Sequence, residues 1–280
     1  MRMEAKAGTG GGDVAAGAAA AGKSVVLITG AASGIGAALA AELAAGRAAR
    51  EPQQQLCLLL HSRQSKDALE AVADAARQSG ARVETLLGDL SAAGSAAAAV
   101  EEAVRHFGQL DAIISNAGGA DSTPLEDTDA AKLNLAFGTM AQAFVMLAQA
   151  AVPHLRRSAC PRVVVVSSFI THRYAVGRSK GFVASAGAKA ALESYMRSLA
   201  SLLAPDGIPV NGVAPGHIEK DKMVGTPGGQ VRRDSVADVV PMGRIGVPSD
   251  VVGPIMFLMS PSAGYMTGQM LHVDGGIANL

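Results

Sequence analysis

Apolar residues along this chain fall into short runs, separated by longer stretches in which they recur every three or four positions. Val25–Thr29, Leu56–Leu60, Val83–Leu87, Leu110–Ile114, Val163–Val166, Val210–Val213 and Gln269–Val273 are runs of four or five residues dominated by Val, Ile and Leu. Runs of that length and composition predict strands buried on both faces. Between them the spacing predicts helices: one ending near Ala45, then Gln64–Gln78, Ser95–Phe107, Asp129–Leu155, an alanine-rich run holding Ser185, Lys189 and Tyr195, and Ser249–Met259. Strand and helix in alternation predict an α/β fold, a Rossmann-type, doubly wound parallel sheet with helices on both faces. Sheets of this kind bind ligands beyond the carboxyl ends of their strands. Gly30, His61, Asp89 and Asn116 each follow a strand and so share that edge.

The first predicted strand leads into Gly30-Ala31-Ala32-Ser33-Gly34-Ile35-Gly36 and then a helix. Glycines there permit a tight turn and close approach of a phosphate to backbone N–H groups at the positive end of the helix. A plain strand-to-helix turn is the simpler alternative. After the second strand comes His61-Ser62-Arg63. An acidic residue at this place would bind a ribose 2′-hydroxyl. With none present, Ser62 and Arg63 suit a 2′-phosphate, which favours NADP(H) over NAD(H). Arg63 as the start of a solvated helix is the alternative, and Ser33 supplies no charge in the glycine loop.

Four valines, Val163 to Val166, run into Ser167 and Ser168, then a polar turn through Thr171-His172-Arg173-Tyr174, then the helix with Ser185 and Lys189. A buried strand ending in hydroxyls, followed by a helix presenting one lysine, is a way to build a proton-transfer site. Asn134 lies in the apolar part of the Asp129–Leu155 helix, where asparagine is unfavourable; polar core filler is the competing explanation. Residues 217–240 hold Gly225, Pro227, Gly228 and Gly229 with several charges and predict a loop over the site.

Composition narrows the function classes. In 280 residues, Lys+Arg and Asp+Glu are both 24, a balance that supports neither a nucleic-acid surface nor an anionic membrane partner and leaves little repulsion against oligomerisation. Cys57 and Cys160 are the two cysteines. Their spacing suggests no metal site or disulfide framework, so a reducing, cytoplasmic setting is expected. The apolar runs are shorter than the roughly 18 residues of a membrane span. Residues 1–22 are almost entirely Ala and Gly with a few charges and read as a disordered extension; a targeting peptide fits poorly with Glu4 and Asp13. Residues 23–280 form the expected catalytic domain.

The chain resembles the short-chain dehydrogenase/reductase family from about Ser24 to Gly276. The resemblance rests on Thr29-Gly30-x-x-x-Gly34-Ile35-Gly36, Asp89-Leu90, Asn116-Ala117-Gly118, Asn134, Ser168, Lys189-Ala190-Ala191, Val210-Asn211, Pro215-Gly216 and Asp274-Gly275-Gly276. It implies a seven-stranded parallel sheet, a nicotinamide cofactor and a homotetramer, or a homodimer. It also implies roles: Gly30, Gly34, Ile35 and Gly36 at the cofactor phosphates, Asp89 and Leu90 near adenine, and Asn116, with Ala117 and Gly118, near the adenosine ribose. Lys189 would bind the nicotinamide ribose, with Pro215, Gly216 and Ile218 beside the nicotinamide.

Two departures stand out. The family pattern is Tyr-x-x-x-Lys, and the position four before Lys189 is Ser185. A nearby Lys⁺ lets a tyrosine serve as an acid; a serine hydroxyl is far weaker. Of the three tyrosines, Tyr265 precedes the last strand and Tyr195 falls on the wrong helix face, which leaves Tyr174. The 2,4-dienoyl-thioester reductase branch is similar here, pairing Ser-x-x-x-Lys with a tyrosine from the preceding loop. That similarity implies Tyr174 as proton donor or polariser, with Asn134, Ser168, Ser185 and Lys189 around the substrate oxygen; an exposed loop residue is the simpler alternative for Tyr174, and His172 is a second donor candidate. Arg173, Arg178 and Lys180 would suit a carrier's phosphates if the substrate is a thioester; a solvated loop is the simpler alternative. The second departure is Lys220, in the segment after Pro215-Gly216 where the family often has a threonine. Three functions compete: a carbonyl reductase or dehydrogenase, an enoyl or dienoyl thioester reductase, and a cofactor-binding sensor or scaffold without catalysis.

Overall fold

The computed structural model describes residues 22–50, 54–173, 181–219 and 237–279. All but the last residue of the 1–22 extension, Tyr174, Arg178 and Lys180, and most of 217–240 with Lys220 lie outside the described residues.

In chain order the elements are β1 (Lys23–Thr29), α1 (Gly34–Arg50), β2 (Gln55–Ser62), α2 (Lys66–Gln78), β3 (Arg82–Leu87), α3 (Ser95–Phe107) and β4 (Ala112–Ser115). Then come α4 (Ala130–Phe137), α5 (Ala143–Leu155), β5 (Arg162–Val166), α6 (Val183–Leu203), β6 (Val210–Pro215), α7 (Pro248–Met259) and β7 (Met270–Val273). The seven strands pair in the order β3-β2-β1-β4-β5-β6-β7, every pair parallel. Each expected strand and helix is present, with ends shifted by a few residues and the bounds of α3 matched.

Parallel strands point alternate side chains to opposite faces, and helices cover both. Val25, Leu27, Cys57, Leu59, Ile113, Val163 and Val165 form one apolar layer with α3, α5 and α6. Val26, Ile28, Leu58, Leu60, Ile114, Val164 and Val166 form the other, with α1, α2 and α7. That two-sided burial explains why the strands read as unbroken apolar runs. Chain order reverses at β1, which has β2 on one side and β4 on the other. Crevices open at such a reversal, and Gly30 and Asn116 stand at its rim.

The helix expected over Asp129–Leu155 is interrupted. Asp129 caps α4, its carboxylate accepting the Lys132 N–H at 2.9 Å. A π-helical turn at Gly138–Gln142 then joins α4 to α5. Gly138 packs tightly there: a Cβ would stand 3.0 Å from the Ser91 Cβ. Ala130–Leu155 is also long and apolar enough to cross a membrane, with mean hydropathy 1.6. The expectation of only shorter apolar runs is corrected in that respect. Phe144, Leu147, Ala151 and Leu155 are nevertheless buried in the layer against α3, so the α5 part is a core helix by packing.

Candidate active site

A cleft of about 520 Å³ opens at the carboxyl edge of the sheet. Gly30, Ser33, His61, Ser62, Arg63, Asp89, Leu90, Ala117, Gly118 and Ser185, separated by up to 155 positions in sequence, line it together. All but His61 were expected at a cofactor or substrate.

The glycine turn is held by sterics and backbone hydrogen bonds. A Cβ on Gly36 would press on the Gly30 carbonyl oxygen and lie 2.7 Å from Asn116 Nδ2. Gly34 has φ +56° and nothing within 4 Å of where a Cβ would be, so its neighbourhood is open at the start of α1. The Asn116 amide donates to the carbonyls of Thr29 (2.9 Å) and Gly30 (3.0 Å). Thr29 Oγ1 accepts from the N–H groups of Asn116 and Ala117, both at 3.0 Å. Both amide hydrogens of Asn116 therefore tie the ends of β1 and β4 together.

Arg63 is exposed at the cleft and makes no ion pair with a described residue closer than 4.0 Å. Ser62 accepts the Ser65 N–H at 3.3 Å, a local turn contact. Asp89 accepts the Ser91 hydroxyl (2.7 Å) and N–H (2.9 Å), and these bonds hold its carboxyl below the ordinary aspartate range.

His61 was missed as a site residue. It is almost wholly buried, its Nε2 within 2.9 Å of the Gly88 carbonyl oxygen, and burial pushes its pKa down against that bond. Its Nδ1 and the Thr139 hydroxyl, both buried on cleft-lining residues, have no hydrogen-bond partner among the described residues. Polar atoms without a partner among the described residues, beside an open glycine turn and an exposed guanidinium, fit a nucleotide cofactor. The one sequence signal for His61 was a polar residue ending an apolar strand.

Lys189 sits on the buried face of α6, and its ammonium donates to the Val166 carbonyl. Burial pushes its pKa down to about 8, and the carboxylate of Glu193 pulls the other way. A Cβ on Gly118 would lie only 2.6 Å from Met140 Cγ, so the glycine makes room for that methionine; the same point is 3.6 Å from Lys189 Nζ, an ordinary contact distance that puts the ammonium beside the loop after β4. Ser168 follows β5; its Oγ accepts the Ile170 N–H at 3.5 Å and caps a short turn. Gly216 is packed against Asp274, 2.6 Å from a Cβ to its Cα.

The remaining expected residues are placed differently from one another. Ser185 is buried on α6, its hydroxyl accepting the Asp121 N–H at 3.1 Å and lying 3.4 Å from the Asp121 and Phe182 carbonyls. Asn134 is exposed on α4. His172 turns toward Glu193, with 3.1 Å between Nε2 and Oε1. Tyr195 is on the outward side of α6, more than a third exposed, and Tyr265 is fully exposed. Among the described residues no His, Cys, Asp and Glu group is arranged to hold a metal ion.

A family model described as enoyl-(acyl carrier protein) reductase matches residues 30–278. The short-chain reductase protein NovJ of Streptomyces niveus is 34% identical over 267 residues, covering 91% of this chain and 94% of NovJ. A short-chain dehydrogenase/reductase from Serratia marcescens superposes with a TM-score of 0.78 at 28% identity, over 91% of this chain and 98% of that one. The reductase LugOII, described as catalysing keto-reduction at C1 during lugdunomycin biosynthesis, superposes at 0.78 with 26% identity, over 91% and 98%.

Proposed function

The chain belongs to the short-chain dehydrogenase/reductase family, and we propose that it is an NADP(H)-preferring reductase, or dehydrogenase in reverse, of a small ketone, aldehyde or alcohol. The family consists of oxidoreductases with a nicotinamide cofactor. The observation that carries the reading is Lys189: a buried ammonium beside Gly118, which itself lines a cleft whose residues fit a dinucleotide.

In this reading Gly30, Ser33, Gly34, Ile35 and Gly36 receive the cofactor's phosphates, and Ser62 with Arg63 its 2′-phosphate. Asp89, Leu90, Ala117 and Gly118 flank the adenosine, and Asn116 keeps the phosphate turn in shape. Pro215, Gly216 and Ile218 lie beside the nicotinamide. When bound, the cofactor gives or takes a hydride at the nicotinamide ring. Lys189 holds the ribose and stabilises negative charge on a neighbouring oxygen. Tyr174 gives the proton to the substrate oxygen, because the other two tyrosines face solvent. Ser168, Ser185 and Asn134 position that oxygen or the loops around it.

The enoyl or dienoyl thioester reading has one observation in its favour beyond Ser185: the description of the matching family model. Keto-reduction by LugOII favours the carbonyl reading. Outside the cleft, α4 and α6 expose Leu133, Phe137, Tyr195 and Leu202. That apolar surface supports a homo-oligomer, a tetramer or a dimer. Cys57 and Cys160 are free, in keeping with a cytoplasmic setting.

The test is turnover of NADPH and NADH with a panel of ketones and enoyl thioesters, by the parent protein and by Tyr174→Phe. Carbonyl turnover that falls about 10²-fold or more in Tyr174→Phe is expected. Unchanged turnover removes Tyr174 from the mechanism, and exclusive thioester turnover selects the second reading. Tight NADPH binding with no turnover on any substrate indicates a sensor or scaffold.

A further inference from the structure

Glu193 is 3% exposed, on a helix whose other inward positions are mostly Ala, Leu and Met. A buried carboxylate is costly unless it is paired and hydrogen-bonded. Glu193 is both. Its Oε1 accepts the Ser167 hydroxyl at 2.5 Å and the Thr171 hydroxyl at 2.7 Å, and lies 3.1 Å from His172 Nε2. Its Oε2 faces Arg197 at 3.4 Å. One side chain thus gathers three donors from the turn after β5.

The spacing along α6 gives this arrangement its meaning. Ser185, Lys189, Glu193 and Arg197 recur every four residues and so form one stripe down the helix. Lys189 holds the carbonyl of Val166, and Glu193 holds the hydroxyl of the next residue, Ser167. The strand end is therefore gripped twice, by neighbouring and opposite charges one helical turn apart. The titratable groups facing Glu193 are Lys189 and Arg197 from α6 and His172 from the turn. Behind His172 lies the His272 ring of β7, 4.4 Å between centroids, with Asp274 Oδ2 3.6 Å from its Nδ1.

We propose that Glu193 is a positioning residue of the proton-handling site: its carboxylate holds the 167–172 turn and supplies the counter-charge that keeps Lys189 cationic. The inference rests on Lys189 having the role given above, and it adds a residue that acts through Lys189 without touching substrate. Glutamine at 193 separates charge from shape, since its amide oxygen still accepts from Ser167 and Thr171.

The test reads Lys189 directly, in protein carrying ¹³Cε-lysine, titrated by NMR without substrate. In Glu193→Gln the Lys189 proton affinity is expected to fall about tenfold, one pH unit. The alkaline limb of kcat/KM should move down with it, while KM for NADPH stays within twofold. Glu193→Asp, which keeps the charge, should titrate within threefold of the parent. A Lys189 titration unmoved in Glu193→Gln overturns the proposal. If that variant does not fold, ¹³Cδ-glutamate in the parent protein decides: a Glu193 carboxyl that is neutral at pH 7 overturns it, and an ionised one supports it. Absence of turnover on every substrate would count against the reductase reading alone, because neither NMR titration depends on it.

Discussion

The two halves of the sheet edge are built from different materials. Around β1 and β4 the cofactor half relies on backbone and steric fit: Gly30, Gly34, Gly36 and Gly118 leave room, and Thr29 and Asn116 spend their polar atoms on main-chain groups. Around β5, β6 and β7 the other half relies on buried charge, with Lys189, Glu193 and Asp274 each under 9% exposed. A steric cradle responds to side-chain volume and hardly to pH. A buried ion set responds to charge, because in a low dielectric each ionisation depends on its neighbours. The first half suits a ligand of fixed shape, the second a reaction in which a proton moves.

The charged half is most sensitive at Lys189. Lys189→Met should lower kcat/KM by about 10²–10⁴-fold while NADPH still binds, measured by steady-state kinetics and fluorescence titration. In the parent protein, activity that needs the ammonium should decline as pH rises through about 8. Stability should move the other way. The folded-state pKa of Lys189 lies below its ordinary 10.5, so between about 8 and 10.5 the unfolded chain holds the proton that the folded one has lost. Its contribution to unfolding free energy therefore rises with pH across that window, which chemical denaturation at pH 7.5 and 10 checks.

Gly36→Ala tests the steric half. The added methyl meets the Gly30 carbonyl and Asn116 Nδ2, a pair of backbone-held neighbours. Overpacking of about 1–3 kcal/mol is expected, read as a lower Tm and weaker NADPH binding with no change in the pH profile. Arg63→Ala should have the smallest effect. Loss of one exposed contact to a phosphate should weaken NADPH about tenfold and leave NADH unchanged, which competitive titration of the two cofactors measures.

Much of this was legible from short stretches of chain. Ser95–Phe107 has the bounds its pattern predicts because helix spacing and two flanking glycines, Gly94 and Gly108, are local signals. The helix expected to start at Asp129 does begin there, with Asp129 as its cap. Glycine and asparagine after β1 and β4 marked the cleft. Other features left only part of a trace. The π-helical turn at Gly138–Gln142 lies within one unbroken apolar pattern, since the departure arises where α4 and α5 pack on other elements. Ser185 was read by its distance from Lys189, yet its hydroxyl meets the Asp121 backbone, 64 positions away. Glu193 stood in the sequence at the four-residue spacing of Ser185 and Lys189, a signal that a polar stripe faces inward.

By itself, then, the sequence determined the seven strands, the helices between them, the carboxyl-edge cleft and the family, because periodicity, capping and glycine turns act over a few residues. Only the tertiary structure decided that His61 is buried with an Nδ1 lacking a hydrogen-bond partner among the described residues, that Asn116 braces the glycine turn, and that Glu193 meets Ser167, Thr171 and His172. Each of those outcomes depends on what lies across a fold boundary. The protonation and hydrogen bonding of a buried group are set by neighbours that chain order does not make adjacent.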